Sequence, residues 1–450
     1  MARLTTVFLF LSLLLSSAAA ADAAADTCSP PSDDPSRLSV IPIYSKCSPF
    51  PPPPPAVATS SLLDTVNHLA AKDPARLTSL ISASAAAVAP IAPGQHLLNT
   101  ANYVVRVKLG SPAQTFAMVL DTSSDASFVP CSPCSGCSSS SSAAAAAFSP
   151  NASSTFGSLD CSVAQCSQVR GGSSCPATGP EPATCLFNQS YGGDSSLSAA
   201  LVTDSLTLGN DVVPGFAFGC VRSVSGGSIP PQGLLGLGRG PLSLLSQTGP
   251  LYSGVFSYCL PSFRSYYFSG SLKLGPVGQP KSIRTTPLLK NPHRPSLYYV
   301  NLTGISVGRV RVPVDPKSLA FDPSTGAGTV IDSGTVITRF VEPVYAAIRD
   351  EFRKQVKGPF SSLGAFDTCF GEAAEAPAIT LRFEGLNLTL PMENSLIHSS
   401  SGTVACLSMA AAPNNVNSVL NVIANLQQQN LRILFDVKNS VVGIARELCN

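Results

Sequence analysis

The sequence contains no tryptophan, and only 12% of its 450 residues are charged. Because 44% of the residues are hydrophobic, disorder throughout the chain is excluded, since disordered chains combine low hydrophobicity with high charge. A charge excess of one sign is also lacking: 28 basic and 26 acidic residues leave a formal net charge of +2. Dedicated nucleic-acid-binding proteins have a strong basic excess, so we expect no nucleic-acid partner.

Histidine is scarce as well, with His68, His96, His293 and His398 the full set. None of them lies in a recognisable context for a serine or cysteine nucleophile. We therefore interpret each as an ordinary surface or core residue and expect no histidine-assisted covalent catalysis.

Long apolar runs are missing beyond the N-terminus. Residues 1–21 have the features of a secretory signal: Arg3, the apolar stretch from Val7 to Leu15, and small residues around Ala19. That stretch is too short for a membrane anchor, which needs about 20 apolar residues. We therefore predict a secreted, extracellular protein without a membrane anchor, and the 14 cysteines fit an oxidising compartment. Candidate N-glycosylation sequons begin at Asn151, Asn188, Asn301 and Asn387.

Residues 22–98 differ in composition from the rest, with a five-proline run at Pro51–Pro55 and tracts rich in alanine and serine. Leu62, Leu63, Val66 and Leu69 have helical spacing and predict a short helix. The segment is either a linker or a removable pro-segment, and composition alone leaves both open.

From Asn102 onward the pattern is that of short strands. Apolar and polar residues alternate from Tyr103 onward, and further β-rich runs follow. Glycine, proline and polar residues separate these runs, and the whole sequence contains 34 glycines and 39 prolines. The best helical pattern is Glu342 to Val356, which Pro343 opens. The predicted fold class is all-β.

Two distant segments of this body resemble each other. Met118–Ser123 and Thr329–Gly334 each run from an apolar strand through an aspartate into a turn of small hydroxyl residues. The two aspartates, Asp121 and Asp332, are 211 residues apart. The echo predicts a duplicated β domain with one aspartate in each lobe, residues 99–284 and residues 285–450.

Two carboxylates facing each other cannot both ionise easily, so one keeps its proton. The ionised group can take a proton from water while the protonated one polarises a peptide carbonyl, without metal or cofactor. We expect Ser124 and Thr335 to hydrogen-bond the outer carboxylate oxygens. We also expect Thr122 and Ser333 to tie the two turns together.

Further motifs accompany the aspartates, namely Tyr191-Gly192, Leu234–Gly238, Gln427–Asn430 and Leu434–Asp436. With them, the chain from about Tyr103 to Cys449 resembles the pepsin-like aspartic proteases, in particular the plant nucellin- and nepenthesin-like branch. The resemblance implies a bilobal fold with a central cleft and a flap bearing Tyr191 and Gly192. It also implies a monomer with an inhibitory pro-segment, which favours that interpretation of residues 22–98, and an apoplastic enzyme, with the vacuole as an alternative location.

The resemblance extends to the cysteines that crowd the region after Asp121. By analogy the pairs expected are Cys131–Cys134, Cys137–Cys220, Cys161–Cys185, Cys166–Cys175, Cys259–Cys449 and Cys369–Cys406. Sequence alone does not fix connectivity. A zinc site at the C-x-x-C-x-x-C run is the competing interpretation, although no histidine follows at ligand spacing.

Four positions depart from the family pattern. Ser123 replaces the usual glycine after the first Asp-Thr, Phe128 stands where many relatives have tryptophan, and Ala424 stands where glycine is expected. The flap sequence from Tyr191 to Ser195 also differs, which predicts an altered hairpin turn.

The resemblance implies a secreted aspartic endopeptidase, made as a zymogen, that cleaves proteins or peptides at large apolar side chains in acid. Its pro-segment is expected in the cleft, with Lys72 or Arg76 near the aspartates. The alternative is an inactive binding protein on the same scaffold, like the plant xylanase inhibitors. Retention of both aspartates with Ser124 and Thr335 favours the protease, because a binding protein does not need them.

Overall fold

The structure is a computed structural model. It describes the backbone of residues 38–42, then residues 66–67, 70–71, 73, 102–137, 147–176, 183–191, 195–209, 211–263, 270–277, 279–371, 374–399, 402–413 and 419–449. The predicted signal peptide, residues 1–21, lies outside these ranges, as does most of residues 22–98, and the lobe bounds stay predictions. No helix in the described ranges is long and apolar enough to cross a membrane.

Short strands dominate the described chain, which confirms the predicted all-β class with two β-rich lobes. The strands before residue 280 are β1 (Leu38–Pro42), β2 (Tyr103–Leu109), β3 (Gln114–Asp121), β4 (Phe128–Ser135), β5 (Gly157–Ser158), β6 (Leu186–Tyr191), β7 (Ser195–Leu208), β8 (Asp211–Ser225), β9 (Leu234–Gly236), β10 (Val255–Cys259) and β11 (Gly270–Leu274). All belong to one large hydrogen-bonded sheet network.

The second half continues this network and adds two four-stranded sheets, β15-β14-β20-β21 and β18-β19-β23-β22. Its strands are β12 (Arg284–Leu289), β13 (Tyr299–Val300), β14 (Leu302–Val307), β15 (Val310–Arg311), β16 (Gly328–Ile331), β17 (Thr338–Phe340), β18 (Ser361–Leu363), β19 (Phe366–Gly371), β20 (Ile379–Phe383), β21 (Leu386–Thr389), β22 (Leu396–His398), β23 (Val404–Leu407), β24 (Met409–Ala411), β25 (Leu420–Ile423), β26 (Leu431–Asp436) and β27 (Val441–Arg446).

Helices are few and mostly one turn long among the described residues. They are α1 (Ala164–Ser167), α2 (Leu244–Gln247), α3 (Gly249–Tyr252), α4 (Glu342–Gln355), α5 (Met392–Ser395), and 3-10 turns at Pro150–Ala152, Pro316–Ser318 and Asn425–Gln428. Helix α4 ends one residue before the predicted bound and buries Val344, Ile348 and Phe352 against the core, as its spacing predicts. Val66, Asn67, Ala70 and Asp73 also have helical conformation.

The duplication seen in the sequence reappears in the strand pairing. Strand β3 ends at Asp121 and runs parallel to β9, as β16, which ends just before Asp332, runs parallel to β25. In each half a following strand, β4 or β17, pairs antiparallel with that partner and parallel with a further strand. The same pairing scheme therefore delivers one aspartate from each half.

The two halves are joined through β10 and β26, which pair antiparallel with Phe256 opposite Phe435. These two rings stack at 4.8 Å between centroids, and Tyr298 lies 4.4 Å from Phe435. All three side chains are at most 1% exposed, so they form an apolar centre across the junction. Arg432, also on β26, is fully buried and pairs with Glu447.

The disulfides correct part of the expected connectivity. The structure contains Cys259–Cys449 and Cys369–Cys406 as expected. The other four expected pairs are wrong, and the observed pairs are Cys131–Cys220, Cys134–Cys137, Cys161–Cys175 and Cys166–Cys185.

Strand direction and burial explain these differences. Strands β4 and β8 run parallel with Val129 opposite Cys220, which brings Cys131 to Cys220 and leaves the next two cysteines to close a short turn. Cys166 and Cys185 are both buried in one apolar cluster and pair there. Every cysteine in the described ranges is disulfide-bonded, so the C-x-x-C-x-x-C run offers no thiolate to zinc.

The aromatic centre at the junction predicts a large stability effect. Phe435→Ala should lower the free energy of unfolding by about 3–5 kcal/mol, because it removes a fully buried ring that contacts its neighbours on several sides. Urea unfolding followed by circular dichroism measures the change, since the chain lacks tryptophan. Val277→Ala, at an 87% exposed position, is the control and should change little. Equal effects of the two substitutions would contradict a central packing role for Phe435.

Candidate active site

Asp121 lies at the end of β3 and is fully buried. Its Oδ1 accepts hydrogen bonds from the Ser123 backbone N–H at 2.8 Å and from the Ser123 hydroxyl at 2.9 Å. Its Oδ2 accepts from the Ser124 hydroxyl at 2.8 Å. Burying a carboxylate costs free energy unless donors compensate, and the turn after the strand supplies three.

Asp332 follows β16 and is 1% exposed. Its Oδ1 accepts from the Gly334 backbone N–H at 3.0 Å, and its Oδ2 accepts from the Thr335 hydroxyl at 2.7 Å. The Thr122 hydroxyl approaches Oδ1 from the opposite turn at 3.4 Å. Ser124 and Thr335 thus lie where the sequence predicts them, each bonded to one oxygen of its own aspartate.

Thr122 and Ser333 link the two turns directly. The Thr122 N–H donates to the Ser333 hydroxyl at 3.2 Å, and the Ser333 N–H donates to the Thr122 hydroxyl at 3.0 Å. The Ser333 hydroxyl in turn donates to the Leu120 carbonyl at 3.0 Å. This reciprocal contact brings Asp121 and Asp332 to the same place from 211 residues apart.

Sequence reasoning missed a layer of buried polar residues under Asp332. The Gln428 side-chain amide donates to the Asp332 carbonyl at 3.1 Å, and the Asn425 amide donates to the Ser333 carbonyl at 3.0 Å. The Tyr258 hydroxyl donates to Gln428 Oε1 at 2.5 Å. Burial, and secondarily the negative charge of Asp332, raises the pKa of Tyr258 well above its usual range, so it stays protonated. The Gln-Gln-Gln-Asn motif was the available signal for this layer.

Asp125 is a second residue that sequence reasoning missed. Its carboxylate accepts from the Gly240 N–H at 2.7 Å and from the Ser296 hydroxyl. A Cβ on Gly240 would lie 2.3 Å from the Asp125 carboxyl carbon, so only glycine fits there. Asp125 therefore fixes the loop after β9 and connects it to the second half of the chain.

Tyr191 ends β6, opposite Ser195 at the start of β7, so it stands at the tip of a hairpin. Its ring meets Phe128 edge to face, with 6.2 Å between centroids and 84° between planes. Phe128 offers no N–H to the tyrosine, and the contact is aromatic instead. Gly192, the other predicted flap residue, lies outside the described residues.

The predicted glycosylation sequons differ in exposure. Asn151, Asn188 and Asn387 are exposed, whereas Asn301 is half-buried and its side-chain amide donates to Glu384 at 2.9 Å. Of the departures from the family pattern, Ala424 is fully buried, and its N–H donates to the Thr338 hydroxyl at 3.1 Å.

Comparison with known proteins follows the same division into halves. The family described as Xylanase inhibitor N-terminal matches residues 103–276, and Xylanase inhibitor C-terminal matches residues 297–446. The chain is 62% identical to Aspartyl protease AED3 of Arabidopsis thaliana over 98% of both chains. It is 54% identical to Aspartyl protease 25 of Oryza sativa subsp. japonica, over 87% of this chain and 92% of that one. It is 34% identical to Aspartic proteinase nepenthesin-1 of Nepenthes gracilis, over 77% and 78%.

Solved structures agree on the fold. The crystal structure of edgp superposes with a TM-score of 0.60 at 22% identity, covering 78% of this chain and 92% of that one. Basic 7S globulin from soybean superposes with a TM-score of 0.59 at 22% identity, covering 77% and 93%. With paired, buried aspartates on two related lobes and extended identity to aspartyl proteases, this chain belongs to the plant pepsin-like aspartic protease family, related to nepenthesin.

Proposed function

We propose that this protein is a secreted aspartic endopeptidase in which Asp121 and Asp332 activate water by general acid–base catalysis. The observation that carries the proposal is the reciprocal Thr122–Ser333 contact, which holds two buried carboxylates against each other. Like charges so close do not both ionise, so the pair shares one proton at working pH.

A difference between the two turns supports a proposal for which aspartate is the acid and which is the base. Asp121 accepts three hydrogen bonds of 2.9 Å or shorter, and one of them comes from the Ser123 hydroxyl, which has no counterpart at Gly334. Hydrogen-bond donors favour the ionised form of a carboxyl group, which supports Asp121 as the proposed base and Asp332 as the proposed proton carrier. Water attacks the peptide carbonyl carbon and gives its proton to Asp121, while Asp332 protonates the carbonyl oxygen. Asp121 then gives that proton to the amide nitrogen as the C–N bond breaks, and a hydroxyl of the intermediate returns a proton to Asp332, which leaves an acid and an amine.

Substrate enters the proposed cleft beneath the hairpin that carries Tyr191. We expect proteins or peptides with large apolar residues beside the scissile bond, cleaved best in acid, where one carboxylate is protonated. No cofactor is needed for this chemistry. Residues 22–98 are proposed as an intramolecular inhibitor of the zymogen, and the packing of Asp73 against Val336, four residues after Asp332, supports this. Lys72 and Arg76, expected near the aspartates, lie outside the described residues.

A second candidate is a binding protein on the same scaffold. Two observations favour it: both matching family descriptions are named for xylanase inhibitors, and Ser123 replaces a glycine at the active-site turn. The protease is the better-supported proposal because both aspartates keep their hydroxyl donors, Ser124 and Thr335.

Substitution of either aspartate tests the proposed chemistry. Asp121→Asn and Asp332→Asn should each lower kcat for an unfolded protein substrate by about 10²- to 10⁴-fold, because an amide neither takes nor gives the proton. Cleavage by the acid-treated, processed chain is measured from pH 3 to 7, with and without pepstatin. Asp350→Asn, at an exposed carboxylate, is the matched control. Cleavage retained by an Asp121→Asn, Asp332→Asn double variant would rule the mechanism out.

Binding of a microbial glycosidase by a chain without proteolysis would favour the second candidate.

The Ser123 hydroxyl predicts a specific pH effect. Ser123→Ala removes the hydroxyl and keeps Cβ, and Ser123→Gly removes both. Each should move the acid limb of the pH–kcat profile to higher pH. The reason is that the proposed ionised carboxylate loses a hydrogen bond, and a hydrogen bond to a charged group is worth about 1.5–3 kcal/mol. Ser162→Ala, at an exposed loop serine, is the control. An acid limb that stays in place in both active variants would show that this hydroxyl does not stabilise the ionised dyad.

A further inference from the structure

The described residues from Val66 to Asp73 pack against the second half of the chain. Val66 and Ala70 are 1% and 0% exposed. They share one apolar cluster with Ile337, Phe366 and residues from β19, β22 and β23. The segment is helical here, with the Ala71 N–H donating to the Asn67 carbonyl at 2.9 Å. An apolar helix face therefore covers this side of the C-terminal lobe.

Asp73 lies at the centre of the contact and is 3% exposed. Its carboxylate accepts the Val336 N–H at 3.3 Å and the Ile337 N–H at 3.4 Å. Arg339 Nε lies 3.5 Å from Asp73 Oδ2. Two main-chain donors and one guanidinium thus converge on a single buried carboxylate, an arrangement that selects an acidic group.

Arg339 is held in place for this role. Its side chain is 7% exposed, and its Nη1 donates to the Ala411 carbonyl at 3.0 Å. Its Nη2 donates to the Ala70 carbonyl at 3.0 Å, so the same guanidinium binds both the backbone and the carboxylate of the segment. A buried cation needs such partners, because removing one leaves an uncompensated charge.

Asn67 adds a shape-dependent contact one turn earlier. Its Oδ1 accepts the Ala365 N–H at 3.2 Å. Gly364 has φ +60°, and a Cβ there would lie 2.4 Å from Asn67 Oδ1. Glycine is needed at this position both for the backbone conformation and for the approach of Asn67.

The same part of the chain has a second attachment. Strand β1 pairs antiparallel with β2, with Val40 opposite Val105, and antiparallel with β11, with Leu38 opposite Leu272. It is therefore hydrogen-bonded on both edges inside the large sheet. We call residues 38–73 the arm; it is attached through β1 and through Asp73.

We propose that Arg339 and the N–H groups of Val336 and Ile337 form a carboxylate-binding site on the C-terminal lobe. Its occupant is the helical segment of the arm that carries Asp73. This site, together with β1, holds the arm on the protein after the chain is cut between residues 74 and 101.

The expected pH dependence of docking through Asp73 supports retention of the arm on the protein in acid. Burial, opposed by Arg339, raises the pKa of Asp73 to about 6 from its usual 3.8. A carboxyl whose pKa is higher in the bound state takes up a proton on docking, so docking strengthens as pH falls from about 6 towards 4. Among the described residues, the other titratable groups on elements near this contact are Asp332 before β17, Asp367 on β19 and His398 on β22. We therefore do not expect acid alone to release the arm at this site.

The test uses the full chain with Asp121→Asn, which prevents self-cleavage, and a recognition sequence for a specific protease placed between residues 74 and 101. After cutting, size-exclusion chromatography at pH 7 and pH 5 should show the N-terminal fragment co-eluting with the body. Its dissociation constant should be about tenfold lower at pH 5 than at pH 7. A fragment released at both pH values, or released on acidification, would overturn the proposal.

Three variants separate the site from general stability. Asp73→Ala should weaken fragment binding at least tenfold at pH 7, and Asp73→Asn should remove the difference in binding between pH 7 and pH 5. Asp350→Asn, an exposed carboxylate on α4, should behave like the parent. Circular dichroism of each uncut chain checks folding. If the folded Asp73→Ala protein binds the fragment as tightly as the parent, the carboxylate is not the ligand of the site. None of these readouts depends on proteolytic activity.

Discussion

The structure of the candidate active site depends on keeping the carboxyl groups of Asp121 and Asp332 buried side by side. Each is costly to bury, and each accepts hydrogen bonds from hydroxyl and backbone N–H groups of the described turns. The Thr122–Ser333 contact then fixes the distance between the turns. Pairing of β3 with β9 and of β16 with β25 positions these turns, and the stacked rings of Phe256 and Phe435 hold the halves together. Loss of any of these contacts would change the separation of the two carboxyl groups.

The two halves repeat each other closely enough for their differences to be informative. Asp125 lies four residues after Asp121 and binds the Gly240 N–H, closing the loop of its own lobe. The residue four positions after Asp332 is Val336, which has no carboxylate. Its backbone N–H donates to the carboxylate of Asp73. The N-terminal lobe thus carries its own acidic acceptor, Asp125. In the C-terminal lobe an acidic acceptor, Asp73, comes from a segment outside the duplicated unit.

Much of the fold and of the candidate active site could be predicted from the sequence. The alternation of apolar and polar residues in strands and the similarity of the segments around Asp121 and Asp332 are both local patterns. The helix beginning at Glu342 and the turn hydroxyls of Ser124 and Thr335 belong to this group. Cysteine pairing could not be predicted, since it depends on strand direction and on which sulfurs are buried together, as Cys166 shows. Gln428 was also missed, because a buried amide is recognised as a partner only once the carbonyl of Asp332 faces it.

The two acidic sites respond to the same protons in different ways. The Asp121–Asp332 pair loses its base when both members are protonated, so the proposed catalysis is lost when the pH becomes too low. Asp73 gains a proton on docking, so acidity strengthens the arm's attachment over the range in which the pair is expected to work. Asp73 accepts the N–H groups of Val336 and Ile337, which directly follow the Asp332 turn, so the proposed attachment also contacts that part of the site. The proposed attachment thus gives the arm a second role beside the proposed inhibition, as a support for the C-terminal half of the site.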